Sequence, residues 1–262
     1  MIGRCLAPVI GLLLLTPAVA RAQSLPGPEK YYIRGEYTRF YPGLDSQVQK
    51  GFGDTEGTVL DLTDDLGVED ENTWQARATI RLGESFKLRG SYMPLDKYRG
   101  DTIAATNFLY GGKLYYAGSQ VVTSINSKYY TGEIEWDFKR GQGGFAGLFI
   151  GAKVFQVASI VLAPVEGTRV TQDNTIPVPV VGFAGRTYYG RRFSVEGEFS
   201  GMTLGSRGHV WEVNMYARIN LSDRLAIGGG YHSVSLEGRD GDDRDYLKVK
   251  LSGWQYGIEL SL

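Results

Sequence analysis

The 262-residue chain holds one cysteine, two histidines and nine prolines. The cysteine is Cys5, at the extreme N-terminus, so no disulfide framework is available to the body of the chain. An exported domain without disulfides must find its stability elsewhere. Two histidines and one cysteine also exclude the closed Cys/His spacings of structural zinc sites. Charge of one sign is missing too. Lysine and arginine total 28 against 29 acids, a net charge of −1. Beyond the N-terminal region there is no apolar run of the roughly 20 residues that a spanning helix requires.

The start is the exception. In "MIGRCLAPVIGLLLLTPAVARAQ", Arg4 supplies a basic n-region, Leu6 to Leu15 an apolar core, and Ala20-Arg21-Ala22 an A-x-A cleavage site. This is the pattern of a secretory signal peptide over residues 1–22. Its apolar run is too short for a spanning helix. Cys5 precedes that run and is badly placed for lipidation. Removing Arg4 and Arg21 leaves 26 basic against 29 acidic residues, a net charge of −3. That balance argues against a nucleic-acid partner, which calls for a basic patch. Residues 23–262 show no linker, no low-complexity tract and no repeat beyond a hairpin rhythm, so they form one domain.

What is abundant is glycine, at 36, and tyrosine, at 17. Both suit strands and turns more than helices. Strict two-residue alternation recurs along the chain. "YYIRGEYTRFY" sets Tyr31, Ile33, Gly35 and Tyr37 against Arg34, Glu36 and Thr38. "TWQARATIRL" sets Trp74, Ala76, Ala78, Ile80 and Leu82 against Gln75, Arg77, Thr79 and Arg81. "YYTGEIEWDF" and "WEVNMYARIN" repeat the scheme. The chain ends the same way, in "WQYGIELSL". Period two over so many segments marks half-buried strands.

Short turns at 83–85, 189–191 and 221–223 alternate with longer connections at 43–71, 99–120, 162–174 and 237–245; the one near Gly205-Ser206-Arg207 is short. Short turns at one end and long loops at the other are the pattern of a membrane barrel. Ten strands fit: 30–42, 72–82, 85–98, 121–138, 145–160, 175–188, 192–204, 208–220, 224–236 and 246–262. Eight or twelve fit the same rhythm less well. Pro177 and Pro179 restrict the start of one strand to an exposed rim. Residues 101–120 leave room for an extra hairpin turning at Gly111-Gly112. The expected fold is an all-β, antiparallel, up-and-down transmembrane barrel. An even strand number puts both termini on one side, with loops outside and turns in the periplasm.

Two features choose between a soluble and a membrane barrel. The polar face carries both signs: Arg34, Glu36, Arg77, Arg81, Lys87, Arg89, Glu133, Glu135, Glu196, Glu198, Glu212, Arg218, Lys248, Lys250 and Glu259. Opposite charges suit a shared lumen. Tyr31, Tyr92, Trp136, Trp211 and Trp254 recur near strand ends on the apolar face, as aromatic girdles do. Long charged side chains fill much of a ten-strand lumen, which favours a plugged or very narrow barrel over an open pore.

The terminal strand, with Trp254, Tyr256, Ile258, Leu260 and Leu262 on one face, resembles the C-terminal signal of bacterial outer-membrane proteins. The resemblance implies that the barrel assembly machinery reads this strand. Phe is usual at the last position and Leu262 stands there. "GTVLDLTDDLGVEDENTWQARATIRLGESFKLRGSY" resembles a hairpin region in a group of uncharacterised small outer-membrane barrels of the OmpA/OmpW-like class. Thr58, Leu60, Asp61, Leu62, Asp65, Leu66 and Gly67 match its T-x-L-D-L-x-x-D-L-G-L loop; Val68 replaces the final Leu. That resemblance implies fold and compartment and carries no activity.

No catalytic or metal site stands out. His232 shares a face with Ala226, Gly228 and Gly230, in a lumen widened by small residues. Outer-membrane lipid A deacylases, which it resembles superficially, pair a His with a Ser two positions away; here position 234 is Val, and Ser233 faces the other way. A hydrogen-bonded interior histidine is the expectation. Barrel proteases need an Asp-His pair and an Asp pair at the rim. His209 lies near a strand start and Asp240, Asp242 and Asp243 in the last loop, but no Asp-His dipeptide exists. The acidic loop 61–71 (Asp61, Asp64, Asp65, Glu69, Asp70, Glu71) fits no EF-hand spacing and reads as a solvated loop, loosely bridged by divalent ions to lipopolysaccharide. The expected function is a non-enzymatic envelope barrel, structural or surface-binding, without cofactors. Its partners are outer-membrane lipids and lipopolysaccharide, periplasmic chaperones and the assembly machinery. The alternatives are a porin-like channel and a lipid A hydrolase using His232.

Overall fold

A computed structural model describes residues 31–203, 205–239 and 245–262. The expected signal peptide, 1–22, and Asp240, Asp242 and Asp243 lie outside the described residues. Ten long strands follow one another: β1 (Ile33–Lys50), β2 (Thr73–Leu82), β3 (Phe86–Ile103), β4 (Gln120–Gly141), β5 (Gly144–Ala163), β6 (Thr168–Tyr189), β7 (Phe193–Thr203), β8 (Gly208–Asn220), β9 (Leu225–Arg239) and β10 (Asp245–Ser261). Each pairs antiparallel with the next, and β10 pairs back on β1, from Arg34 opposite Ser261 to Lys50 opposite Asp245. Closure reaches the last residue: Leu262 N–H donates to the Ile33 carbonyl at 2.8 Å, and Tyr32 N–H to the Leu262 carbonyl at 2.7 Å. Lipid offers no hydrogen bonds to a loose edge, so a spanning sheet has to close in this way.

Connections at 83–85, 142–143, 190–192 and 221–224 define the turn end, which also holds the C-terminus. The opposite, loop end departs from the expected boundaries. The strands run farther than the sequence rhythm marks. β1 continues to Lys50, β3 to Ile103 and β9 to Arg239, and the expected loop 162–174 shrinks to residues 164–167. β4 and β6 each have 22 residues, whereas roughly 9–11 cross a bilayer. About half of each therefore stands clear of the membrane. Pro177 and Pro179 lie within β6, not at its start, where it pairs with β5 alone. A missing N–H is tolerated there as on a sheet edge. The hairpin above the barrel is present as Phe108–Tyr110 and Lys113–Tyr115, turning through Gly111 and Gly112 at φ 58° and 74°. Both turn positions need positive φ, which glycine adopts without steric cost.

Side-chain direction stays constant along β10, whereas a bulge between Leu95 and Tyr98 switches it in β3; polarity reverses partway up. On the outward face of β10, Leu262, Leu260, Ile258, Tyr256 and Trp254 are followed by Ser252, Lys250 and Lys248. The inward face runs from Glu259 and Gln255 to Leu251 and Val249. Lys248 and Lys250 were expected beside Glu259; they lie on the other face, above the lipid band. Tyr31 also differs from expectation. It precedes β1, turns inward, is buried, and lies under the Arg34 guanidinium at 3.9 Å from its ring centroid. The reversal coincides with a belt of outward aromatic rings. Tyr37, Trp74, Tyr92 and Tyr130 follow one another at 5.0–5.9 Å, with Phe199–Trp211 at 5.6 Å and Tyr231–Trp254 at 5.7 Å farther round. A second group, Trp136, Phe138, Tyr189 and Phe193, lies at the turn end.

Ile258 sits at the middle of the outward apolar run of β10. Ile258→Arg is expected to destabilise the barrel by roughly 2–4 kcal/mol, the cost of a cation at the bilayer midplane. Lys250→Ala, above the belt, is expected to stay within about 0.5 kcal/mol. Urea unfolding in lipid vesicles, read by the heat-dependent gel shift, compares the two.

Candidate functional site

The interior of the turn-end half is charged and nearly full. Lys87 and Arg89 on β3 reach Glu135 on β4, Lys87 at 2.7 Å and Arg89 at 2.5 Å, and Lys87 also reaches Asp137 at 2.9 Å. Arg89 lies 3.4 Å from Glu133, and Arg81 lies 3.4 Å from Asp137. Glu198 comes from β7, on the far wall. It accepts from Arg77 at 2.9 Å and Arg89 at 2.6 Å, so these pairs cross the lumen. A second cluster joins Arg186 to Glu196 at 2.7 Å, Arg218 to Glu36 at 3.0 Å and to Glu259 at 3.0 Å, and Arg34 to Glu259 at 3.4 Å. Arg186 also contacts Glu259, and Arg218 contacts Glu196. The inward side chains of neighbouring strands thus interlock into one mass.

Carboxylate oxygens of Glu36, Glu196 and Glu259 lie within 4.8 Å of one another. Arg34, Arg186 and Arg218 already surround them. A metal ion there would face three guanidinium groups, so the trio is explained as part of an ion-pair cluster. Two small cavities within the charged half measure about 10 Å³ each. That is room for one water at most.

Above this mass sits a smaller polar group. Glu212 accepts from Tyr129 Oη at 2.6 Å and contacts Lys153 Nζ. His232 Nε2 lies 2.7 Å from its other oxygen. A proton on His232 Nδ1 would find no acceptor, since that atom is buried without a partner, so the proton sits on Nε2. The Phe40 ring lies 5.0 Å away. Ser233 and Ser235 are on the outward face, so no serine neighbour of His232 on β9 can act with it. Gly228 and Gly230 lie where a side chain would not fit. A Cβ on Gly228 would lie 2.3 Å from the Ala217 carbonyl and 2.8 Å from Arg218 Cγ, because the β8 backbone and the Arg218 side chain come close to β9 there.

The loop-end half has an apolar interior that the sequence reading missed. A cavity of about 480 Å³ opens there, lined by residues such as Leu95, Phe155, Val178, Val234, Leu236 and Leu251. Phe40, Tyr129 and Val210 help close it below. The acidic loop keeps Asp64, Asp65, Glu69 and Asp70 exposed, but it also folds over the chamber as a lid. Leu62, Leu66 and Val68 are buried in the core, while Asp61 accepts from the N–H groups of Thr63 at 2.8 Å and Asp64 at 3.0 Å. Asp70 accepts from Leu44 N–H at 2.8 Å. Thr58 exchanges hydrogen bonds with Leu109 of the hairpin. The T-x-L-D-L-x-x-D-L-G pattern is thus a turn that drives leucines downward. The hairpin is anchored by Tyr115 Oη, which donates to the Val161 carbonyl at 3.0 Å. Tyr110 lines the chamber, and burial pushes its hydroxyl up to about 12.

His209 lies at the rim of this chamber, 6.5 Å from the Trp211 ring and opposite Glu237 in the register.

No protein-family model and no curated protein matches the sequence. The structure is similar to that of the outer-membrane protease OmpT of Escherichia coli, with a TM-score of 0.62 and 9% identity, over 92% of this chain and 99% of that one. It is also similar to the translocator domain of the autotransporter NalP of Neisseria meningitidis, with a TM-score of 0.50 and 10% identity, over 88% of each chain. At such identities the likeness carries the fold alone: a closed, transmembrane β-barrel of outer-membrane type.

Glu198 holds two arginines across the lumen. Glu198→Ala leaves both without that partner and is expected to cost about 3 kcal/mol, as breaking a buried pair does. Glu237→Ala, at the rim, is expected to cost under about 1 kcal/mol. Urea midpoints of the folded barrels in vesicles check the difference.

Proposed function

We propose that the chain is an integral outer-membrane barrel with a closed lumen, acting through its loop end without catalysis. The turn end then faces the periplasm and the lid and hairpin face outward. One observation carries this reading: Glu198 bonds Arg77 and Arg89 across the barrel, inside an ion-pair mass whose small cavities measure about 10 Å³. A hydrated ion has no passage through it, which disfavours the porin-like alternative. A hydrolase using His232 is disfavoured by its outward serines and by Glu212, which occupies Nε2.

The partners follow from the surfaces. Lipid meets the outward belt. The final strand, from Trp254 to Leu262, is the segment offered to the assembly machinery, after periplasmic chaperones have carried the chain. The acidic lid residues left exposed, such as Asp64, Asp65 and Glu69, face the lipopolysaccharide headgroups, where divalent ions would bridge them.

Single-channel recording in a planar bilayer tests the closed lumen. Folded protein, shown by its heat-dependent gel shift and by flotation with vesicles, is expected to give no discrete current steps. Regular steps from that material would replace the plug with a pore.

A further inference from the structure

The wall of the loop-end half is uneven. β7 ends at Thr203 and β8 begins at Gly208, while β6 continues up to Thr168. Residues 168–180 of β6 pair with β5 on one edge and, among the described residues, with no strand on the other. The short connection at Gly205–Arg207 therefore leaves a notch in the wall. The β6–β7 ladder ends at Val181 opposite Gly201, and the β7–β8 hairpin rises beside the free edge of β6 only as far as Thr203 opposite His209. The flanks are Gln172 and Asn174 on one side and Arg207, His209 and Arg239 on the other, and all five line the chamber. An apolar cavity of about 480 Å³ is thus bordered by polar and cationic groups beside the free edge of β6.

We infer that this chamber is a binding site for a single-tailed amphiphile, which enters through the notch. The tail lies among Phe155, Val178, Val234 and Leu236, and the polar end stays at the rim near Arg207 and Arg239. The size falls within the range of ordinary ligand pockets, and an apolar body with a few convergent polar groups is their usual composition. The charged mass below prevents passage through the barrel, so the site holds its ligand and does not conduct it. Lys50 pairs with Asp245, and Arg239 lies 3.7 Å from Glu237, so part of the rim charge is already balanced. Arg207 is exposed on its short helical turn.

A photoactivatable probe, decanoic acid carrying a diazirine near its methyl end, tests the inference on the folded full barrel in vesicles. It is supplied either in the lipid or in the buffer, to distinguish a membrane source from a water source. Peptide mapping then locates the label. The outward belt provides an internal reference, since Ile150 and Met215 report simple partition into lipid. Label on inward residues such as Phe155 or Leu236, from either supply, is expected to disappear with excess unlabelled decanoate, while the belt label persists. Val234→Trp, which fills the chamber, is expected to abolish the inward label. If that variant fails the heat-shift test, Val249→Phe, at a partly buried position on the chamber wall, replaces it. Label confined to the outward belt under both supplies, or inward label that neither competitor nor filling removes, overturns the inference.

Discussion

A sheet that crosses lipid cannot leave a backbone edge unpaired, and the rest of this structure depends on that constraint. The pairing of β10 with β1 satisfies it to the last residue. Closure fixes which face is inside. The turn-end interior must then be filled by whatever the inward positions carry, and here they carry arginine, lysine, glutamate and aspartate. Long side chains from opposite walls meet in the middle, and each charge finds partners. The cross-lumen ion pairs are a consequence of closing a ten-strand sheet over two-signed inward faces.

Above the aromatic belt, water replaces lipid on the outside, and on β10 the polarity reverses without any change in side-chain direction. Lys250 and Leu251 illustrate this on one strand: the lysine points out and the leucine in. The upper half is built like a soluble barrel, with an apolar core and a polar exterior, and its core is incompletely filled. The lid from the first loop and the hairpin at 108–115 cover it from above. The low wall at Gly205–Arg207 leaves it bordered by polar groups at the side.

Much of the turn-end half was legible in the sequence. Alternation in "TWQARATIRL" and "WQYGIELSL" marked strands whose apolar residues face out, and the closed ten-strand count followed from the turn spacing. The upper half was harder to read. In "GLDSQVQK", Leu44 and Val48 alternate with Asp45, Gln47 and Gln49 as in any half-buried strand. Without the height of the lipid band, such alternation gives no sign that the solvent has changed. Cross-lumen partners were also out of reach, because Glu198 and Arg77 come from opposite walls and meet only after closure sets the stagger. The Glu212–His232 contact was closer to hand. Counting back from the turn at 221–223 places His232 opposite Asn214, two residues from Glu212. In the first loop, acidic residues drew attention to charge, whereas the leucines between them are what the fold uses.

The height at which polarity reverses sets the lipid band, and lipid-depth quenching along β10 tests it most directly. With Cys5 replaced by serine, single cysteines at Ile258, Tyr256, Lys250 and Lys248 carry an environment-sensitive fluorophore in vesicles of brominated-chain lipid. Strong quenching at 258 and 256 and little at 250 and 248 is the expected pattern. Equal quenching at all four positions, or none at 258, would contradict a membrane band that ends at Trp254.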